Sequence, residues 1–286
     1  MAHSSYYVPH TAKWPIVGSV GLFIFMVGAA NWLNQGPTGP WLFALGAAII
    51  LVMIFGWFAD VIRESQGGLY NQAVDISFRH GMIWFIFSEV MFFAAFFGAL
   101  FYARVLSVPW LGGEGTGAMT NALLYPGFEA VWPTHGPAAL GGDFQTIPGF
   151  GLPLLNTLIL LTSGVTITLA HWALKRAQRG ALVFWMVATI VLALIFLSIQ
   201  SYEYVHAYRD LGLTLGSGIY GSTFFMLTGF HGLHVIIGTL MLIVITIRCA
   251  FGHFSKKNHF GFEAAAWYWH FVDVVWLGLF IFVYVI

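Results

Sequence analysis

Seven stretches of mainly apolar residues run through this chain, and their length constrains the fold more than any motif does. A helix needs about 20 apolar residues to cross the hydrocarbon core of a bilayer, where every backbone polar group must be satisfied internally. The sequence therefore predicts an all-α, polytopic membrane protein with seven transmembrane helices. The predicted spans are Pro15–Leu33, Trp41–Val61, His80–Leu106, Leu152–Leu174, Ala181–Tyr202, Tyr220–Arg248 and Phe262–Ile286.

The composition excludes several other classes of protein. Charged residues make up 8% of the chain, against about 25% in a typical soluble domain. The formal net charge is zero, which argues against nucleic-acid binding. Cys249 is the only cysteine, so the chain has no internal disulfide and no C-x-x-C-H haem attachment. Residues 1–13 are polar and lead directly into a span, so no cleavable signal is expected.

The connections between the spans divide the chain into four parts. Residues 1–14 form an N-terminal segment, 15–61 carry the first two helices, and 62–79 form a connection on the same side as the N-terminus. Residues 80–286 carry the other five helices. Within them, the Gly- and Pro-rich loop 107–151 is expected to be irregular, with a short helix.

The basic residues predict the orientation. Seven spans place nine of the eleven lysines and arginines on the side of the N-terminus, and leave Arg104 and Arg209 on the other side. Such an excess marks the cytoplasmic or matrix side. We therefore expect a cytoplasmic N-terminus and an external C-terminus at Ile286.

Glu89 is an acidic residue in the middle of the third span. It follows His80 by nine residues, about 13 Å along a helix. A charge at that depth costs about 3 kcal/mol or more unless it is neutralised, paired or facing something polar. One interpretation is a protonated carboxyl group hydrogen-bonded to a neighbouring helix. The others are a proton-handling group or the lining of a polar or lipid-filled cleft.

Histidines lie at depth on two later spans. His231 and His234 are three residues apart, as are His270 and Asp273, so each pair shares a helix face. They either hydrogen-bond across a helix pair or clamp a haem. No ligand set for a metal is evident. At the end of the fifth span, Gln200 and Glu203 are interpreted as a solvated or capped helix end.

Arginines mark the cytoplasmic ends of two spans. Arg63 and Glu64 follow Trp57 at the end of the second span, and Arg248 ends the sixth. The planar guanidinium group suits phosphate, and basic residues on this side contact anionic head groups. Snorkelling toward water is the simpler alternative for such residues. The indole and the carboxylate beside Arg63 favour lipid binding.

Several segments together resemble the cytochrome c oxidase subunit 3 family, in that family's order and over nearly the whole chain beyond Pro15. They are Trp57-Phe-Ala-Asp-Val-Ile-Arg-Glu64, Gly81-Met-Ile-Trp-Phe-Ile-Phe-Ser-Glu-Val-Met-Phe-Phe93, Pro153-Leu-Leu-Asn-Thr157, Ser163-Gly-Val-Thr-Ile-Thr-Leu-Ala-His171, Gln200-Ser-Tyr-Glu-Tyr204, Tyr220-Gly-Ser-Thr-Phe-Phe225, Thr228-Gly-Phe-His-Gly-Leu-His-Val-Ile-Ile-Gly238 and His259-Phe-Gly-Phe-Glu-Ala-Ala-Ala-Trp-Tyr-Trp-His-Phe-Val-Asp-Val-Val-Trp276.

The resemblance implies a non-catalytic subunit of a proton-pumping aa3-type oxidase, with two helices and five helices around a V-shaped cleft that holds phospholipid. It implies lipid contacts at Trp57, Arg63, Glu64, Arg248 and His231, with Glu89 near the cleft. No haem or copper is expected in this chain. Haem a and copper are expected in partner subunits.

The resemblance also implies partners and a role. The main contact is oxidase subunit 1, with subunit 2 and small subunits beside it and cytochrome c as electron donor. The family sustains proton uptake and turnover stability of the catalytic subunit, and guiding oxygen inward is a further suggested role. The segment after Glu64 lacks the Gly-His pair of many relatives, so no histidine is assigned to lipid there. The long 107–151 loop favours a bacterial protein of the inner membrane.

Two functions of other classes remain open from the residues alone. One is a stand-alone proton or ion conductor that uses Glu89. The other is a haem-bearing membrane cytochrome that uses His231 or His234 together with His270.

Overall fold

The computed structural model describes residues 6–9 and 12–286, and it is all-α over this part of the chain. Seven helical segments are long and apolar enough to cross a membrane, which confirms the predicted number. They are α1 (Trp14–Leu33), α2 (Gly39–Gln66), α3 (Gln72–Phe101) with its extension to Leu111, α6 (Leu152–Lys175), α7 (Arg179–Arg209), α8 (Gly218–Phe251) and α9 (Phe260–Leu279) with its extension to Val285.

Most of the helices extend past the apolar runs that predicted them. The second helix ends at Gln66 rather than Val61, and the fifth spanning helix, α7, ends at Arg209 rather than Tyr202. Hydropathy locates only the apolar part of a helix, whereas backbone hydrogen bonding continues until a residue stops it. Gly252 stops α8 with a left-handed backbone conformation, φ +74°, which glycine adopts without strain.

The long connection starts later than predicted. A π-helical turn over Tyr102–Ser107 joins α3 to α4 (Val108–Leu111), so the prediction of irregular structure from Ser107 is wrong for these residues. Beyond Gly112 the connection contains α5 (Ala118–Leu124) and two short 3₁₀ turns. The expected short helix in irregular surroundings is therefore present between residues 112 and 151.

The described chain divides into two compact units, residues 1–80 and 81–286. In the first unit α1 and α2 form an antiparallel hairpin whose buried residues are all glycines. A methyl group on Gly28 would clash with the backbone nitrogen of Phe43, and one on Gly46 would clash with that of Phe25. The two backbones thus approach closely through small residues, as is common between helices in membranes.

In the second unit four helices form a ring, in which α6 packs on α7, α7 on α8, α8 on α9, and α9 again on α6. The largest buried side chains are Trp269 and Trp276 of α9. Their indole nitrogens donate hydrogen bonds of 2.9 Å to Ser163 and Thr157 of α6. Buried indole N–H groups need such partners, and the resulting bonds set which face of α9 meets α6.

Within this unit α3 contacts α8 and α9 through its phenylalanines. Phe93 is buried, and its ring lies 4.9 Å from that of His234 and 6.1 Å from that of Phe271. Phe92 meets Phe230 edge to face at 5.0 Å. These contacts fix the rotation of α3 and therefore the direction in which its carboxylate points.

Candidate functional site

Glu89 is hydrogen-bonded across a helix pair. Its Oε2 lies 2.8 Å from Nε2 of His234 on α8, a residue 145 positions away in the chain. The Glu89 side chain is 23% exposed and that of His234 is 10% exposed. The structure thus supports the interpretation of a carboxyl group hydrogen-bonded to a neighbouring helix, and it supplies the partner that the sequence did not indicate.

The other nitrogen of His234 determines how many protons the pair holds. Its Nδ1 lies 2.6 Å from the carbonyl oxygen of Phe230, which only accepts hydrogen bonds, so Nδ1 carries a hydrogen. A single proton must then lie between Glu89 and Nε2 of His234. The pair is either a neutral acid donating to a neutral imidazole or a carboxylate accepting from an imidazolium. In both forms it is electrically neutral, which suits the interior of a membrane.

His231 lies one turn away and is enclosed in the four-helix ring. Its side chain is 1% exposed and packs against Phe196 and Trp276, with ring centroids 5.9 Å and 5.1 Å away. Both ring nitrogens lack a hydrogen-bond partner among the described residues. The expected lipid contact of His231 is therefore not supported, because the ring has no surface on which a lipid could lie.

His270 and Asp273, which share a face of α9, contact each other. Nδ1 of His270 lies 3.4 Å from Asp273, and its Nε2 lies 3.4 Å from the Thr168 hydroxyl group. His234 is bonded at both nitrogens as well. The haem-ligand alternative requires His270 together with His231 or His234, and both nitrogens of His270 already contact protein side chains, so the structure does not favour it.

Glu203 is buried, so its interpretation as a solvated helix end is wrong. The residue is 1% exposed, and both carboxylate oxygens lack a hydrogen-bond partner among the described residues. The amide group of Gln200 and the hydroxyl group of Tyr284 are also buried without a hydrogen-bond partner among the described residues. Because α7 continues to Arg209, Glu203 lies well inside the helix, on the face that enters the ring.

Among the predicted lipid-binding residues of the first unit, Arg63 contacts Asp60, a residue to which the sequence assigned no role. Arg63 donates to Asp60 at 2.8 Å, the indole of Trp14 donates to it at 2.8 Å, and Lys13 lies 3.9 Å away. The Arg63 side chain is 76% exposed and Trp57 is 52% exposed. Two cations thus share one carboxylate, and their charge exceeds what Asp60 neutralises.

Glu64 does not join this group. It accepts a 2.7 Å hydrogen bond from the hydroxyl group of Tyr70, in the connection before α3. Partial burial and the neighbouring carboxylate raise the pKa of Tyr70 well above its usual range, so its hydroxyl group remains a donor at neutral pH. Glu64 therefore anchors the chain that leaves α2.

Arg248 lies in the last turn of α8, in the second unit. Its guanidinium group lies 4.4 Å from the centre of the Phe254 ring, a cation–π geometry. Its Nε has no hydrogen-bond partner among the described residues. Arg248 is therefore positioned by an aromatic ring.

A third group of side chains was not predicted from the sequence. His171, at the end of α6, converges with His259 and Glu263 at the start of α9. The spacing of four residues between His259 and Glu263, on one helix face, was the signal that could have indicated it.

These observations define a class of protein. Seven apolar helices, basic helix ends beside exposed aromatic side chains and a neutral carboxyl–imidazole pair at depth are features of a multi-pass α-helical membrane protein.

Comparison with known proteins then shows the family. A family model described as cytochrome c oxidase subunit III matches residues 3–286. Proteins named cytochrome c oxidase subunit 3 are similar over nearly their whole length. The one from Triticum aestivum is 44% identical over 281 residues, covering 98% of this chain and 96% of the relative. The one from Drosophila melanogaster is 42% identical over 274 residues, covering 96% and 93%. The chain belongs to the cytochrome c oxidase subunit III family. Members of this family are subunits of an oxidoreductase complex.

Proposed function

We propose that this chain is a non-catalytic, phospholipid-binding subunit of a proton-pumping cytochrome c oxidase. In this proposal it packs mainly on oxidase subunit 1, with subunit 2 and small subunits nearby. The partner subunits hold haem a and copper and receive electrons from cytochrome c. The chain supports proton uptake and turnover stability of the catalytic subunit.

The proposed location is a bacterial inner membrane, with the N-terminus in the cytoplasm and the C-terminus in the periplasm. The nine-to-two division of basic residues supports this orientation. The proposal also includes two helices and five helices arranged around a lipid-filled cleft.

The observation that carries the lipid proposal is the exposed guanidinium group of Arg63 at the end of an apolar helix. In the first unit α2 presents large apolar side chains on most of its surface, among them Trp41, Phe55, Trp57 and Phe58. An acyl chain has apolar surface to cover there, and the head group meets the cations Arg63 and Lys13. One phospholipid thus satisfies both parts of this surface.

Arg248 offers the second unit a similar site. Arg248 lies in the last turn of the apolar helix α8, and a planar guanidinium group can bind a phosphate through two parallel N–H groups. The pairing with Phe254 limits its motion, which reduces the entropy lost when a head group binds.

The test is a pair of substitutions in the intact oxidase. We expect Arg63→Ala with Arg248→Ala to leave initial oxygen consumption nearly unchanged, to lower the amount of copurified phospholipid and to shorten the active lifetime during turnover. Mass spectrometry of extracted lipids and continuous oxygen-electrode traces measure these effects.

Arg209→Ala is the matched control, because Arg209 ends α7 on the opposite predicted side. It should alter neither lipid content nor lifetime. If the double variant decays at the wild-type rate with normal lipid content, the proposal is wrong.

The alternative function is a stand-alone proton or ion conductor using Glu89. The Glu89–His234 pair is the observation in its favour, since it holds a proton that can shift between two groups. However, Nδ1 of His234 is bonded to a carbonyl oxygen of its own helix, which does not pass the proton on. Conductance of the purified chain in liposomes, abolished by Glu89→Gln, would favour this alternative over the oxidase role.

A further inference from the structure

His171, His259 and Glu263 converge where α6 ends and α9 begins, apart from the groups discussed above. Oε1 of Glu263 lies 3.5 Å from Nε2 of His171 and 3.3 Å from Nε2 of His259. One potential ligand atom from each residue lies within 4.8 Å of the others. All three residues belong to the second unit.

The hydrogen bonding of His259 determines which of its ring nitrogens is protonated. Its Nδ1 lies 3.0 Å from the carbonyl oxygen of Ser255, so in the neutral imidazole Nδ1 carries the hydrogen and Nε2 presents a lone pair. That lone pair faces the carboxylate oxygen of Glu263. Nε2 of His171 and Nε2 of His259 both lack a hydrogen-bond partner among the described residues.

Burial makes contact between a lone pair and a carboxylate oxygen costly. The His259 side chain is 9% exposed and that of Glu263 is 13% exposed, so water reaches little of this contact. Lone pairs that face one another in a partly buried site require a proton or a metal ion between them.

We propose that these three residues bind a divalent transition-metal ion, with zinc the best fit. Two imidazoles and one carboxylate form a common three-ligand set for zinc, with bonds of about 2.0–2.2 Å. In a tetrahedral site such bonds separate neighbouring ligand atoms by roughly 3.3–3.5 Å, and the two distances to Glu263 already have this length. The His171 side chain is 23% exposed, which leaves the fourth position open to water.

The ion would act as a clamp between α6 and α9. These helices already share the indole bonds of Trp269 and Trp276 along their length, and the metal ties their ends together. The backbone bond from His259 to Ser255 fixes the imidazole in the ligating tautomer, a common support for metal-bound histidine. The proposal departs from the expectation that the chain holds no metal.

The test uses the full chain in lipid nanodiscs, treated with a chelator and then dialysed against Zn²⁺ or Co²⁺. We expect a single zinc ion per chain, d–d absorption bands typical of low-coordinate cobalt, and a higher melting temperature with metal. His171→Asn, His259→Asn and Glu263→Gln should each weaken zinc binding by at least about 100-fold, because each removes a direct ligand.

The matched control is the His206–Asp210 pair, which has the same four-residue spacing and a contact of 2.7 Å. His206→Asn and Asp210→Asn should leave zinc binding unchanged. His171→Cys should retain zinc and add a sulfur-to-cobalt charge-transfer band, a result that a variant unable to fold does not produce.

Two outcomes overturn the proposal. One is a wild-type chain that binds no zinc at neutral pH but is destabilised by Glu263→Gln, which would identify the cluster as an ion pair with protonated histidine. The other is zinc binding that all three ligand substitutions leave unchanged.

Discussion

The α1–α2 hairpin and the five-helix unit are both strongly apolar in sequence but are held together in different ways. In the most apolar window of α2 only 6% of residues are buried, against 50% in α9. The hairpin relies on close backbone approach at glycines, whereas the ring of α6–α9 buries indoles, hydroxyl groups and histidines. In a membrane apolar surface is already in an apolar solvent, so helix association depends on packing and on polar contacts rather than on hydrophobicity.

Tryptophan substitutions should reveal this contrast most strongly. Trp276→Ala removes a fully buried indole and leaves Thr157 without its donor, so we expect a loss of about 3–5 kcal/mol of stability. Trp41→Ala changes the same residue type in the hairpin, where it is 78% exposed, and should cost less than about 0.5 kcal/mol. Unfolding of the full chain in nanodiscs measures both, and similar losses would break the comparison.

Glycine substitutions should destabilise the hairpin more than the second unit, which is the opposite of the tryptophan substitutions. Gly28→Ala places a methyl group against the backbone of Phe43, and we expect it to destabilise the hairpin by about 1–3 kcal/mol. Gly98→Ala in α3 is the control, since nothing lies within 4 Å of the added carbon. It should be neutral or slightly stabilising, because alanine favours helix. Disulfide cross-linking of cysteines placed across the hairpin reports its opening.

The smallest effect is expected at Glu89. The amide group introduced by Glu89→Gln keeps a donor for Nε2 of His234, so the contact between α3 and α8 survives. We therefore expect oxygen reduction by the assembled complex to stay largely intact, as measured by initial rates. His234→Ala provides the comparison, because it removes the partner altogether. A near-complete loss of activity with Glu89→Gln in a fully assembled oxidase would show that the carboxylate has more than a supporting role.

Much of the fold was predictable because each helix satisfies its own backbone. The number of spans and the irregular stretch after Gly112 follow from local sequence alone. Helix ends were less predictable, since α2 and α7 continue through polar residues that hydropathy excludes. Arg63 and Glu64 therefore lie on a helical turn rather than in a connection, which directs Arg63 to Asp60.

The candidate sites were predictable only in part, because residue spacing gives a helical face but not its neighbour. The spacing of His270 and Asp273 placed them on one helix face, where the structure shows them in contact with each other. The family resemblance placed His231 at lipid, and the ring of helices encloses it instead. Glu203 was interpreted from its place near the end of an apolar run, and the continuation of α7 makes it interior.

By itself, the sequence determined that this protein has seven membrane-spanning helices and to which family it belongs. Both follow from local information. Apolar runs must become helices in a bilayer, and the family is recognised from short segments that occur in a fixed order along the chain. Only the tertiary structure decided that Glu89 is hydrogen-bonded to His234, and that His171 meets His259 and Glu263. Such pairings depend on the rotation and packing of helices that are far apart in the chain, and side-chain packing between helices sets both.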